Sequence, residues 1–399
     1  MSSTDIVHQR AAIAGIGQTV YAKNLGRTEL DLACEAIVAA CDDAGFPVAD
    51  IDGISCYSME QVTEVALITT LGIKNVSYMA GTPSGGGGAA SVVGLAALAV
   101  ASGQADSVIA FRSRNRSKAA SYGADPLQGG RPWAKAGTRL SDWRQWHHPF
   151  GVAAPVQEMA LIARRHMALF GTKAEHFGMQ AVAQRFHASR NPNAIMRNAI
   201  TLDEWRESRP IAEPIRLPDC SLENDGALAV LVTTPERARD LRQPPVYFLA
   251  QAQGGGPIHV GLADYFRTSA SWDERDHAGR HIAKQLFARA GVTPDDVDVA
   301  MFFDHFTMAI PLSLEQYGFC PLGEGGPMIE SGATRWPDGS LPVNTHGGSN
   351  GEAFIHGVNH TPEAVRQLRG TSTCQAEGAE IALVTGAITD PSGAILLRR

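Results

Sequence analysis

The chain is 399 residues long, 44% apolar and only 19% charged, which gives ample material for a large buried core and excludes the composition of a disordered segment. A net charge of -7 argues against non-specific nucleic-acid binding. Six scattered cysteines, none in a CxxC pair, exclude a zinc ribbon and a dithiol motif and suit a reducing cytoplasm better than a disulfide framework.

The opening MSSTDIVHQR has no apolar stretch of the signal-peptide kind, and the most apolar run, Ala89 to Ala101, is too short to span a bilayer. Ala11–Ile16 reads as a strand. Gly15-Ile16-Gly17 begins like a dinucleotide fingerprint, but the third glycine and the helix pattern are missing. No P-loop or GxSxG elbow occurs. Leu30, Cys34, Ile37, Val38 and Cys41 recur at helical spacing, with Thr28 and Asp31 as an N-cap box and Gly45 as the C-cap, so both cysteines read as core.

A small-residue helix is predicted over Ala89–Ser102 and a strand over Ser107–Phe111. Four cations follow: Arg112, Arg114, Arg116 and Lys118. They could hold phosphates, but a solvated or subunit-facing loop is the preferred reading. Residues 113–155 form a loop-rich stretch with Trp133, Trp143, Trp146 and Phe150, expected to be a lid or a subunit contact. Val156–Phe170 and Ala174–Arg190 read as helices. Asp219, Glu223 and Asp225 read as loop-ordering carboxylates around Cys220.

The chain repeats itself. Glu35–Tyr57 matches His281–Phe303: each is a helix ending in Ala-Gly, then an Asp-Ile/Val-Asp step, then a strand. Gly226–Thr233 matches Gly378–Thr385, both buried strands in the same order within their halves. A duplicated α/β unit explains this better than chance. The halves are expected at 1–240, with the loop-rich insertion extending over about 113–200, and at 241–399.

The blocks DHFTMAIPLSLEQYGFCPLGEGG, from Asp304, and LPVNTHGGSNGEAFIHGVNHTPEAVRQLRG, from Leu341, resemble the thiolase superfamily. The likeness is greatest to its lipid-transfer-protein branch and, within that, to the steroid side-chain aldolases. The resemblance covers nearly the whole chain. It implies two βαβαβαββ halves in a five-layer α-β-α-β-α sandwich, a CoA thioester as substrate with no tightly bound cofactor, and retro-aldol cleavage of a 3-hydroxyacyl-CoA. It also implies a small OB-fold partner protein and a homodimer, possibly within a heterotetramer.

The thiolase machinery is altered. The nucleophilic cysteine position falls at about Gly86, in Pro83-Ser84-Gly85-Gly86-Gly87-Gly88. Ser84 is the nearest side-chain nucleophile. The glycine run reads either as a polarised floor for an acyl chain or oxyanion, or as a closely packed helix start. The histidine following the Asn344-Thr345-His346-Gly347-Gly348 loop is replaced by Phe354, and the asparagine of the NEAF block by Phe303. The second cysteine, expected near Val384–Gly386, is absent.

Acid–base work then falls to histidines, whose pKa lies near working pH. The candidates are His346, His356 and His305, with Asp304 beside the last and Tyr317 as a phenolic proton source. Substrate contacts are expected from Ser84, Gly85, Gly86, Gly87, Phe303, Gly347, Gly348, Phe354 and His360. His356 and His360 share a face if their segment is helical, but with no third ligand they make a poor metal site, and no metal is expected. Cys320 and Cys374 read as small buried hydrophobes. Three functions stay open: an aldolase-type lyase, a cysteine-independent acyltransferase, and a binding or scaffold subunit that has lost its chemistry.

Overall fold

The structure, a computed structural model, describes residues 6–82, 85–116, 148–152, 154–255, 278–389 and 391–399. Ser84, Lys118 and the tryptophans at 133, 143 and 146, with most of the loop-rich stretch, lie outside them.

The first half contributes β1 (Ala12–Gln18), β2 (Gly53–Cys56), β3 (Tyr78–Gly81), β4 (Ser107–Arg114) and β7 (Gly226–Thr233). A small separate pair, β5 (Pro210–Ala212) and β6 (Ile215–Arg216), lies between the last two in sequence. The second half contributes β8 (Val246–Gly254), β9 (Val299–Met301), β10 (Ile381–Thr385) and β11 (Ser392–Arg398). These join into one mixed sheet of order β3-β2-β4-β7-β1-β8-β11-β10-β9. The halves meet at β1 and β8, paired antiparallel through Ala12 with Tyr247 and Ile13 with Val246. Read outward from that junction, both halves run first strand, last strand, penultimate strand, second strand. Val343 adds a parallel bridge beside Ala300, where the first half places β3.

Helix α1 (Glu29–Ala44) begins where the Thr28 hydroxyl accepts from Asp31 N at 3.2 Å, and it ends at Gly45 with φ of 71°. Its buried face, Leu32, Ala33, Ala36, Ile37, Ala40, Cys41 and Ala44, lies on the outer side of the first-half strands. There β1 touches helix backbone: a Cβ on Gly15 would lie 2.1 Å from the Ala40 carbonyl oxygen, and one on Gly17 2.2 Å from that of Ala36. The glycines that resemble a dinucleotide motif thus permit strand–helix contact. α2 (Glu64–Leu71) packs beside α1.

α3 (Ser91–Ala101) is apolar on nearly every side because it is covered on nearly every side. It packs on β2, β4 and β7 of one half and on β8 and β11 of the other, within a core shared by both. α4 (Pro155–Phe170) and α5 (Ala174–Arg190) fall where expected. α6 (Ala278–Ala290) covers β8 and β11, α7 (Ala309–Gln316) touches α6, and α8 (His360–Arg369) joins α3 in the shared core. Among the described residues, no helix is long and apolar enough to cross a membrane.

β4 runs three residues past its expected end at Phe111. This corrects the reading of the cationic run as a solvated loop: Arg112, Arg114 and Arg116 are all buried. Arg112 reaches the carboxylate of Glu60 at 3.1 Å, and the Arg114 guanidinium lies 4.9 Å from the centre of the Phe354 ring. Such long side chains can be buried when carboxylates, carbonyls and ring faces receive them.

Candidate active site

Four positions far apart in sequence converge at the start of α3. Phe303 follows β9 and is fixed by its N–H donating to the Thr385 hydroxyl at 3.2 Å. Its ring lies against Gly86, where a Cβ would come within 2.5 Å of the ring, and against Gly357, where a Cβ would come within 2.3 Å. Phe354 meets it edge-on at 6.0 Å. The strand end after β10 closes the group, with Ala387 N–H donating to the Gly86 carbonyl at 3.2 Å. Position 86 therefore has no room for a side chain, because Phe303 fills the space. Gly87 is equally confined, by the Pro391 carbonyl. Close packing, rather than an open floor, accounts for these two glycines; beside Gly85, with φ of 87°, a Cβ would meet nothing within 4 Å among the described residues.

His356 stands at the edge of this group in the left-handed region, with φ of 53°. Its ring stacks on Tyr57 at 5.1 Å and 13°, and meets Phe354 edge-on at 5.1 Å. The Tyr57 hydroxyl donates to the Gly85 carbonyl at 2.5 Å, tying His356 to the glycine run. Arg112 Nε donates to His356 Nδ1 at 3.2 Å, and Arg112 is held in turn by Glu60. Glu60 also accepts from Ser113 N–H and Oγ, both at 2.7 Å. Burial, then Arg112, Arg114 and Arg116, hold His356 well below the usual histidine range. A general base needs a free lone pair, and Nδ1 is already occupied by an obligatory donor. The expectation of His356 as a base is therefore corrected.

A second buried group includes Asp304, which directly follows Phe303, with His360 six residues after Phe354 and His346 eight residues before it. His360 Nε2 donates to Asp304 Oδ1 at 3.1 Å, and His360 Nδ1 lies 3.0 Å from His346 Nε2. Asp304 also accepts from Ser349 N–H at 2.9 Å and from the Gln184 amide. Burial pushes the Asp304 carboxyl up, but the hydrogen bonds from His360 and Ser349 outweigh it and hold it below the usual range. Burial and the neighbouring His360 hold His346 down. Glu352 lies 3.8 Å from His346 and accepts from Asn191 and Asn359; burial raises its carboxyl to about 7. His346 Nδ1 has no hydrogen-bond partner among the described residues.

The candidate residues thus divide. His346, His360 and Asp304 form one cluster; His356, Phe354, Phe303, Gly85 and Gly86 form the other. His356 and His360 do not share a helix face, because residues 352–359 are irregular and α8 begins at His360. His305 lies 5.1 Å from the Phe303 ring, and burial pushes it down to about 4. Its segment is anchored by Asp219, which accepts from Trp205 Nε1 at 2.9 Å and Thr307 Oγ1 at 2.7 Å, in keeping with a loop-ordering carboxylate. Tyr317 is a correction: it packs in a separate apolar cluster against Phe302, and burial pushes its phenol up, away from proton donation. Gly347 and Gly348 face α5, at Ala188 and Gln184, and Gly348 also abuts Asp304. They allow that approach rather than line a floor.

Sequence reasoning missed Tyr57, Glu60 and the burial of Arg112. Tyr57 stood at the end of the repeated block, and Glu60 three residues on, but nothing in their spacing pointed to a histidine 296 residues away from Glu60. Among the described residues, no group of three or more His, Cys, Asp or Glu is disposed to hold a metal ion.

Comparison with known proteins agrees with this geometry. The family described as thiolase C-terminal domain-like matches residues 266–396. The 17-hydroxy-3-oxo-4-pregnene-20-carboxyl-CoA lyase of Mycobacterium tuberculosis is 41% identical over 97% of this chain and 99% of its own length. The steroid side-chain-cleaving aldolase of Thermomonospora curvata is 39% identical over 97% of each. The solved structure of an Ltp2-ChsH2(DUF35) aldolase superposes with a TM-score of 0.89, at 37% identity over 99% of both chains. The chain therefore belongs to the thiolase superfamily, in the lipid-transfer-protein branch that holds the steroid side-chain aldolases.

Proposed function

We propose that the chain is an aldolase-type carbon–carbon lyase that cleaves a bulky 3-hydroxyacyl-CoA, such as a steroid side-chain CoA thioester, without a cysteine nucleophile. The observation that carries this reading is the Phe303 ring filling the space in front of Gly86, which leaves no room for a thiol, and so none for an acyl-cysteine, at that position. The names and near-complete coverage of the relatives support the reaction class. Retro-aldol cleavage needs only a base for the hydroxyl proton and a donor for the thioester enolate. CoA enters as part of the substrate.

His346 is the base in this reading. With His360 donating through Nε2 to Asp304, its Nδ1 accepts from His346 Nε2–H, which leaves His346 Nδ1 with a free lone pair. A proton taken at Nδ1 is balanced by passing the Nε2 proton to His360, whose charge Asp304 receives. The aromatic walls Phe303 and Phe354 suit an apolar substrate.

The assembly proposed is a homodimer carrying small OB-fold partners. The two-component name of the Ltp2-ChsH2(DUF35) aldolase supports a partner. β3 lies at the sheet edge with Met79 exposed, in keeping with pairing through the first-half strands. A cytoplasmic location goes with this reading.

The test is to co-purify the chain with its small partner and add a 3-hydroxyacyl-CoA bearing a bulky tertiary alcohol. Acetyl- or propionyl-CoA and a ketone should appear, and His346→Ala should lose about 100-fold or more in kcat. Tight binding of such substrates with no turnover would overturn the lyase reading in favour of a binding subunit.

A further inference from the structure

The arrangement Glu60–Arg112–His356 has the opposite polarity to the carboxylate–histidine pairs that make a base. A carboxylate behind an imidazole accepts a hydrogen bond from its near N–H and so leaves the far nitrogen free to accept a proton. Here an arginine stands behind the imidazole. Its Nε–H is present at any working pH, so His356 Nδ1 can only accept, and the ring's one proton must sit on Nε2. A second proton on Nδ1 would set two donors against each other. Arg112 is only 4% exposed and His356 6%, and Glu60 fixes the guanidinium from its other side. The charged groups facing His356 are Arg112, Arg114 and Arg116, with Glu60 behind the first, so the surroundings hold the ring neutral.

Among the described residues, His356 Nε2 has no hydrogen-bond partner although it is buried. A buried N–H without an acceptor is costly and calls for one. The ring bearing it stacks on Tyr57, whose hydroxyl holds Gly85, and the next residue, Gly357, lies against Phe303. The orphan donor therefore belongs to the glycine-lined group where the thiolase nucleophile is missing.

We propose that His356, fixed by Glu60 and Arg112 as a neutral Nε2–H donor, hydrogen-bonds the thioester carbonyl oxygen of the acyl-CoA. This deepens the lyase reading and rests on it for the reaction. The C2–C3 bond breaks, and its electron pair moves into the thioester enolate, whose oxygen His356 holds. The hydroxyl oxygen becomes the ketone as its proton passes to the base, and C2 then takes a proton to give the shorter acyl-CoA. His356 is the catalytic residue in this step; Glu60 and Arg112 are positioning residues.

Glutamine separates a donor from a base. His356→Gln keeps an N–H near Nε2 but cannot take a proton at working pH, whereas His356→Ala loses both functions. In the chain co-purified with its partner, His356→Ala should lose about 100- to 1000-fold in kcat, the range for removal of one oxyanion donor, and His356→Gln no more than about tenfold. Equal loss in both variants would overturn the donor role while leaving the lyase reading intact. Arg112→Gln should let His356 take a proton, adding an ionisation near neutral pH to the kcat profile that the wild type lacks; an unchanged profile counts against positioning by Arg112. A readout independent of turnover uses acetyl-CoA labelled with ¹³C at the thioester carbonyl. Its resonance should move downfield on binding to wild type and to His356→Gln, and not with His356→Ala. If polarisation is seen but no 3-hydroxyacyl-CoA is cleaved, the lyase reading fails and the donor site stands. If the bound carbonyl is unshifted in the wild type, the proposal fails.

Discussion

At the residue scale, the loss of the thiol and the gain of the phenylalanine are one change. Gly86 and Phe303 occupy the same space, so restoring a cysteine alone should not restore a thiolase. Gly86→Cys sets a Cβ 2.5 Å from a rigid ring and 3.2 Å from the Ala387 Cβ, and should cost about 1–3 kcal/mol in urea denaturation. Phe303→Ala in the same chain should recover part of that loss, giving a coupling of about 1 kcal/mol in a double-mutant cycle; strictly additive effects would mean the two do not touch. Glu352 gives a pH prediction. Its carboxyl is raised to about 7 chiefly by burial, above its unfolded value, so the native state holds the proton more tightly. Its contribution to stability is complete below the unfolded value and is lost as pH rises through about 7. Wild-type stability should therefore fall relative to Glu352→Gln between about pH 5 and 8, the range that brackets the raised carboxyl. Parallel stability curves for the two chains would contradict it.

At the element scale, local chemistry wrote most of the fold into the sequence. The Thr28 cap, the Gly45 terminus and the paired Asp-Ile/Val-Asp steps are short-range signals, and the structure carries each of them. Of the apolar spacing expected for α1, Ile37 and Cys41 are buried, but Leu30 and Cys34 are only half-buried and Val38 is exposed, because the buried face is lined largely by Leu32 and four alanines. Thr28→Ala should cost about 1 kcal/mol in thermal or urea unfolding. Gly15→Ala should cost more, about 2–3 kcal/mol, because its Cβ would meet helix backbone that cannot rotate aside. The site was less legible. The glycine run, Phe303, Phe354 and the histidines were readable as candidates from their family positions. Which histidine faces which partner depends on contacts between β4, the 352–359 segment and the loop after β2, and no periodicity records those. Arg112 illustrates the limit. It sits in a cationic run that reads as solvated, yet three further residues of strand turn it inward onto Glu60 and His356.

At the scale of the whole molecule, duplication explains where the site lies. Two halves with one strand order meet at β1 and β8, and α3 and α8 fill the core between them. The site forms where the start of α3, from the first half, meets the strand ends of the second. In light scattering after size exclusion, the chain alone should run as a dimer of about twice its 42.4 kDa mass, and larger with its partner; a monomer would contradict the proposed pairing. The central claim is carbon–carbon cleavage with no covalent acyl-enzyme, and one measurement tests both parts. Turnover with a bulky 3-hydroxyacyl-CoA is quenched during the steady state, and small molecules and intact protein are weighed together by mass spectrometry. The account predicts ketone and shortened acyl-CoA in equal amounts, with the protein mass unchanged. An acyl adduct on any residue of this chain, or an intact substrate after prolonged incubation, would contradict it.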